Sequence, residues 1–358
     1  MNSRNAVIAV LVTFAMVLPA MPFLASEADA DTDVFAGYYG KQLNTNQKAI
    51  YDAMMALDPS VTVYDGGADG YYIELTVNSL VNENDHLKDA TVAWQATKLD
   101  AASGNNWAFW TWTLADAKPT VTVTASSATS CTLHIGVASQ FSSGFATAVA
   151  NVNTAINAID VTGNNAAEKV KNLNSKLTSS PYVHVSDNSE HVYANTIYAI
   201  AAENVESDKV YMTSFAYSAL FKALCAKGDV SCAQVFGFYG NNSTIAAWND
   251  VVIDGKVYGV DTAGNAISEG NPWLAAGVYT NGNGELYGKV HNAFVNSSIN
   301  GFDYSTFTAE TLNNDGYAWP VSEDIWEKVN EYLPWILIGI ICVILAVVLV
   351  IMARKGEY

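Results

Sequence analysis

The chain has 358 residues, half of them hydrophobic and 15% charged, with 24 glycines and 8 prolines. That composition supports a sizeable core and excludes disordered, collagen-like and low-complexity chains. Lys and Arg number 17 against 35 Asp and Glu, a net charge of −18, the wrong sign for gripping phosphate backbones through counterion release, so nucleic acid is not an expected partner.

Residues 1–30 open with Met1-Asn2-Ser3-Arg4, continue as an apolar run from Ala6 to Ala25 and close on Ala28-Asp29-Ala30. A basic start, an apolar middle and an A-x-A exit are the grammar of a secretory signal peptide; an uncleaved anchor is the alternative, and both export the body of the chain. Residues 31–160 are expected to form an N-terminal α+β region. Its helix signal is Asn44-Thr45-Asn46-Gln47 ahead of Ile50, Met54 and Leu57, with Pro59 past the end. Hairpins are expected from Ser60–Asp65 with Tyr71–Val77, and from Trp107–Leu114 with Thr120–Ala125, each pair flanking turn residues. Phe145–Ile159 reads as an amphipathic helix.

The second region, residues 161–300, begins with helical pattern at Ala166–Leu177 and again at Tyr193–Glu203. From Thr213 the apolar Phe215, Ala219, Leu220, Ala223 and Leu224 predict a buried helix that stops at Lys227-Gly228. Strands are expected at Ala233–Gly237, Trp248–Ile253, Lys256–Val260, Gly277–Thr280 and Glu285–Val290. One long helix packed on an antiparallel sheet is an α+β arrangement. A juxtamembrane stretch, 301–332, leads to residues 333–353, a charge-free run long enough to span a hydrocarbon core as a helix. Arg354-Lys355 come next, which by the positive-inside bias leaves the tail, 354–358, in the cytoplasm and the body outside as a single-pass membrane protein. The only arginines are Arg4 and Arg354, so the exported body lacks the planar fork that binds carboxylate or phosphate at two points.

Several short motifs stand in order along this chain. They are Gln42-Leu43-Asn44, the run Gln47-Lys48-Ala49-Ile50-Tyr51-Asp52-Ala53, then Thr213-Ser214-Phe215-Ala216-Tyr217 at the start of the buried helix. After the helix end and turn at residues 224–232 come Val235-Phe236-Gly237, Ala246-Ala247-Trp248-Asn249, the strand, turn and strand of residues 251–258, and Val260-Asp261-Thr262. The set resembles the transglutaminase-like, papain-related superfamily in its secreted or membrane-anchored prokaryotic form, most closely over residues 190–265 and more weakly back to residue 38. The resemblance implies an antiparallel sheet packed on a buried helix, and a chemistry of thiolate attack on an amide carbonyl. In that family a Cys starts the helix, a His opens an H-A-W-N strand and an Asp lies in a V-D-x-T motif.

Here those places hold Ser214, Ala246 and Asp261. A serine hydroxyl needs an adjacent base, and alanine accepts no proton, so the triad is degenerate and no catalytic residue is expected. Asp261 keeps two readings: orienting a histidine supplied from elsewhere, or hydrogen-bonding Trp248 and nearby backbone amides, the second being the expected one. Tyr217, Trp248 and Asn249 are candidate cleft residues, with packing as the alternative for the two aromatics.

Cys225 and Cys232 bracket the turn after the helix, a spacing that permits a disulfide outside the cell; two buried thiols are the alternative. Cys131 is expected unpaired in a strand beside Leu133, and Cys342 within the span. The segment from His184 to His191 reads as a capped polar loop rather than a metal site, and the runs Asp65–Gly70 and Asn281–Glu285 as turns rather than calcium loops. No metal and no cofactor is expected. Asn241, Asn242 and Asn296 head glycosylation sequons.

Together these features predict a cell-surface pseudoenzyme that binds an extracellular peptide, protein or envelope component, or serves as architecture. One rival is an acyl-transfer or peptide-hydrolysing enzyme using Ser214 with His184 or His191 brought in by a loop. The other is an adhesin-like or surface-layer protein without a ligand cleft.

Overall fold

The computed structural model describes residues 33–352, apart from 59, 82–84, 102–120, 138–140, 143–144, 188, 192, 203–207, 241–243, 280, 283–284, 294–297, 300–301, 304–305, 321–337, 339–340 and 342–343. The signal region, the expected strand Trp107–Leu114, the sequons at Asn241, Asn242 and Asn296, Cys342 and the tail lie outside the described residues.

Helix α1 (Thr45–Met55) starts where its signal stands. The Asn44 side chain accepts the Gln47 N–H and the Gln47 side chain accepts the Asn44 N–H, a capping box. Strands β1 (Val63–Asp65) and β2 (Tyr71–Val77) form the expected antiparallel hairpin, with Gly67 N–H donating to Asp65 Oδ1 at 2.8 Å in the turn. Helix α2 (His86–Asp100) has no counterpart among the sequence expectations. Ala90, Ala93, Trp94, Gln95, Ala96, Thr97 and Leu99 are all buried, and a helix covered on nearly every side carries no polar stripe to announce its period.

Strand β3 (Val121–Ser126) pairs, among the described residues, with β4 (Cys131–Val137), completing a sheet of order β1-β2-β4-β3. Its inner face, with Ile73, Leu133 and Ile135 fully buried, packs on α2. Helices α3 (Phe145–Ala158) and α4 (Ala166–Leu177) lie at their expected places, α4 capped by the Asn165 side chain. Strands β5 (Tyr182–His184) and β6 (Val210–Met212) pair in parallel. The helix expected over Tyr193–Glu203 is not formed; turns and a single 3-10 turn, Ile197–Ile200, replace it in the described part. The Thr196 hydroxyl donates to Tyr193 O at 3.0 Å, a local bond that competes with helix.

Helix α5 (Ser214–Lys227) is the buried helix, ending at Gly228. Strands β7 (Cys232–Tyr239), β8 (Thr244–Ile253) and β9 (Lys256–Val260) come next, then the short helix α6 (Thr262–Ala266). The strands expected at Gly277–Thr280 and Glu285–Val290 are largely absent. Val278 and Tyr279 direct their N–H groups at the carbonyls of Asn313 and Asn314, at 2.9 Å each. Beyond them β10 (Asn281–Gly282) pairs with β11 (Glu285–Leu286), a one-turn helix α7 (Tyr287–Val290) intervenes, and β12 (His291–Ala293) docks on β7. The resulting sheet is antiparallel, in the order β12-β7-β8-β9. A small hairpin, β13 (Ser298–Ile299) and β14 (Phe302–Asp303), comes after it.

The chain up to Gly316 is one compact unit, a mixed α+β fold whose two sequence regions are stitched together by buried polar contacts. Asp100 accepts the N–H groups of Tyr39 and Gly40 at 3.3 and 2.9 Å and the Tyr51 hydroxyl at 2.9 Å. Lys222 Nζ donates to Leu99 O at 2.6 Å, and the Tyr39 hydroxyl donates to Gln234 O at 2.8 Å. Tyr317–Tyr358 form a second unit, in which residues 344–352 are helical with Ile344, Leu345, Val347, Leu349 and Ile351 exposed. Among the described residues no helix is long and apolar enough to cross a membrane.

Candidate functional site

Ser214 occupies the first position of α5. The preceding Thr213 is extended but does not cap the helix, because its hydroxyl lies 2.9 Å from Asn195 Oδ1 and 3.2 Å from Ala194 O. Ser214 is 7% exposed, and its Oγ accepts the Ala247 N–H at 3.2 Å. Among the described residues no imidazole or amine hydrogen-bonds to that oxygen.

The alternation of β7 and β8 decides what faces the serine. Asn249 Nδ2 donates to Ser218 O at 3.0 Å and to Ala233 O at 3.2 Å, and Gln234 Nε2 donates to Ser218 Oγ at 2.7 Å. Phe236 meets Phe215 edge-on, with ring centres 5.3 Å apart. Gln234, Phe236, Ala247 and Asn249 therefore face α5. Ala246 and Trp248, one residue out of phase, point to the other face together with Gly237 and Tyr239. The Ala246 methyl group is thus turned away from Ser214.

A histidine does reach Asp261, on that opposite face. Asp261 leaves β9 and caps α6, its Oδ1 accepting the Gly264 N–H at 2.8 Å. Its Oδ2 accepts the Tyr239 hydroxyl at 2.6 Å and His291 Nε2 at 3.0 Å. His291 stands directly opposite Tyr239 in the β12–β7 register, and its Nδ1 lies 3.2 Å from Tyr287 O. Both ring nitrogens are thus engaged inside the protein, and neither faces Ser214. Aromatic rings enclose the imidazole: Tyr287 stacks on it at 3.8 Å, while Trp248, Tyr239 and Trp273 meet it edge-on at 5.0 to 5.3 Å. Both side chains of the pair are 1% exposed. Burial, reinforced by Asp261, holds the Tyr239 phenol well above its ordinary pKa. The backbone of Asn292 and the Trp248 ring press so closely on Gly237 that a side chain there would collide with both.

The other candidate residues do not converge on Ser214. Tyr217, Trp248 and Asn249 are 0%, 2% and 0% exposed and serve as packing and as a helix-to-sheet staple, not as walls of an open cleft. His184 is half-buried with its ring 6.2 Å from that of Tyr217, and burial lowers its pKa against the opposing pull of Asp261. His191 stacks on Tyr211 at 3.7 Å, and Asp187 accepts the Ser189 N–H at 2.9 Å within the polar loop. No group of three or more metal-ligating side chains occurs among the described residues. Cys225 and Cys232 are buried free thiols in hydrogen-bond contact, so the expected bridge is not formed in this structure. Burial pushes the Cys225 thiol well above its ordinary pKa.

Two residues carry no local sequence signal for the place they take. His291 lacked any local signal, since its partner lies 30 residues away. Lys98 sits on α2 with its Nζ 4.8 Å from the centre of the Phe236 ring and 6.0 Å from that of Phe215, and burial pushes its pKa down to about 7.

No protein-family model matches the chain, and no curated protein matches it. Among solved structures, one described as "Crystal structure of a TGase" is similar at 10% identity, over 61% of this chain and 58% of that one, with a TM-score of 0.27. This is a weak similarity of fold only, and the chain spans 58% of the length of that structure.

Proposed function

We propose that this chain is an extracytoplasmic, membrane-anchored protein of architectural rather than catalytic role, a transglutaminase-like pseudoenzyme whose triad positions have been absorbed into the core. The observation that carries this reading is the closure of all three positions: Ser214, Ala246 and Asp261 are 7%, 0% and 1% exposed. Their polar atoms are already engaged, Ser214 by a backbone amide and Asp261 by three donors. Burial of Tyr217, Trp248 and Asn249 favours the form without a ligand cleft over one that holds a peptide. Anchoring is supported by the apolar run 333–353 and by the exposed aliphatic side chains of 344–352 within it, which suit a lipid environment.

The test uses the purified full chain in detergent, assayed for amine incorporation into a glutamine peptide, for peptide hydrolysis and for labelling by a fluorophosphonate. No turnover and no labelling are expected, with Ser214→Ala indistinguishable from the parent. Turnover that disappears in Ser214→Ala would falsify the architectural reading. A second reading rests on Lys98, whose amine lies against Phe215, the neighbour of Ser214. It makes the pair a serine–lysine enzyme, and it requires that Lys98→Met abolish any such turnover while the fold persists.

A further inference from the structure

Residues 306–316 lie against the body as a strap. The Gln42 side chain clamps Thr308: its Nε2 donates to Thr308 O at 3.1 Å, and its Oε1 accepts the Thr308 N–H at 2.9 Å. Phe307 is 3% exposed and meets Tyr39 edge-on at 5.7 Å. Asn313 N–H donates to Val257 O at 2.7 Å, and the N–H groups of Val278 and Tyr279 return bonds to the strap.

Between these fixings the strap carries Glu310, which is hydrogen-bonded with the Tyr38 hydroxyl and is the charged group acting on Asp250. Asp250 belongs to β8 on the Trp248 face and is 2% exposed. Its Oδ1 has no hydrogen-bond partner among the described residues. Opposite it in the β8–β9 register is Gly259, and the Tyr287 ring crowds that glycine, its own buried hydroxyl also without a partner. Among the described residues, the titratable groups that act with Asp250 are Tyr38 and Tyr39 from the N-terminal segment, Tyr287 from α7 and Glu310 from the strap. None of them is a base. A carboxylate so placed would keep a buried oxygen without a donor, which favours the neutral acid. Burial, with Glu310 adding to it, pushes the Asp250 pKa up to about 8.

We propose that Asp250 and Glu310 form a pH-sensitive latch, in which the neutral acid lets the strap 306–316 lie down and ionisation of Asp250 lifts it. A second negative charge near Glu310 in a poorly solvated site repels the first, and apart from Phe307 the strap residues are half-buried or exposed, so the strap is the element free to move away. Released, residues 306–316 become free tether on the way to the apolar run 333–353. The latch does not depend on whether Ser214 is inert.

Hydrogen exchange on the full chain in detergent, corrected for intrinsic rates and followed from about pH 6 to about pH 9, tests it. The amides of Thr308, Asn313, Val278 and Tyr279 are expected to lose protection about tenfold or more across this range, while those of Ile50 and Met54 in α1 keep theirs. In Asp250→Asn the strap stays protected throughout, and in Glu310→Gln, where the repelling charge is gone, the loss of protection is expected to be smaller than in the parent. Constant protection in the parent chain, equal loss in Asp250→Asn, or simultaneous loss in α1 would each overturn the latch. Should Asp250→Asn not fold, a Glu310→Gln profile identical to the parent does the same.

Discussion

Asp261 Oδ2 and His291 Nε2 are 3.0 Å apart, with the histidine delivered by a strand that pairs with β7 and not with β8. Asp261 therefore has an imidazole beside it, but on the sheet face turned away from Ser214. A carboxylate–imidazole pair in that position cannot take the serine proton. What it can do is tie the end of β9 to β12 across the sheet, inside a wall of aromatic rings.

Replacing His291 by Phe leaves Asp261 buried beside a ring that donates nothing, and is expected to destabilise the fold by about 3–5 kcal/mol in urea denaturation. Asp261→Asn should act in the same direction. Asp261→Asn with His291→Phe should fall short of the sum of the two, because one interaction is being removed twice.

Lys222 is 2% exposed, with its Nζ on Leu99 O, and burial lowers its pKa while Asp100 opposes that shift. Lys222→Met removes a charged donor between α5 and α2 and should destabilise the protein by about 2–4 kcal/mol. Adding Asp100→Asn should recover part of that loss, since the carboxylate would no longer be buried without its neighbouring cation. Independent, additive effects in the double variant would argue against coupling between the two.

Cys225 and Cys232 make a third test. With the Cys225 thiol pushed far above its ordinary pKa by burial, its thiolate population is too small for attack. Iodoacetamide should leave both residues unmodified in the folded chain and alkylate both after unfolding. Rapid labelling of the native protein would show an open α5–β7 turn, and a pair that resists alkylation until reduced would show the bridge the spacing allows.

Asp250 also shapes global stability. Its pKa is raised from 3.8 to about 8 by folding, so between those values the folded state binds more protons than the unfolded one and stability falls as pH rises. The contribution is complete below the unfolded value and gone above about pH 8. Asp250→Asn should remove this slope: relative to the parent it should gain about 2–4 kcal/mol between pH 5 and pH 8.5, read as the change in their Tm difference. Parallel pH profiles would mean that Asp250 ionises freely in the folded chain.

Much of the local structure was legible because its causes are local. The Asn44–Gln47 box starts α1, the apolar spacing from Phe215 to Leu224 makes α5, and Asp254-Gly255, both at positive φ, turn β8 into β9. That Ala246 accepts no proton needed nothing beyond residue identity. In contrast, α2 stayed hidden because burial on almost every side erases amphipathic period, and Tyr193–Glu203 failed as a helix because a side chain took over a backbone acceptor.

The residues by themselves thus determined which elements form, and that position 246 cannot act as a base. Tertiary structure alone decided that Ala246 faces away from Ser214, that His291 crosses 30 residues to Asp261, that Trp248 is core and that Asp250 Oδ1 is buried without a hydrogen-bond partner among the described residues. Helix and strand periods are set by neighbours within a few residues. Which side chain meets which, and whether water reaches them, depends on how distant segments pair, and a linear pattern does not carry that information.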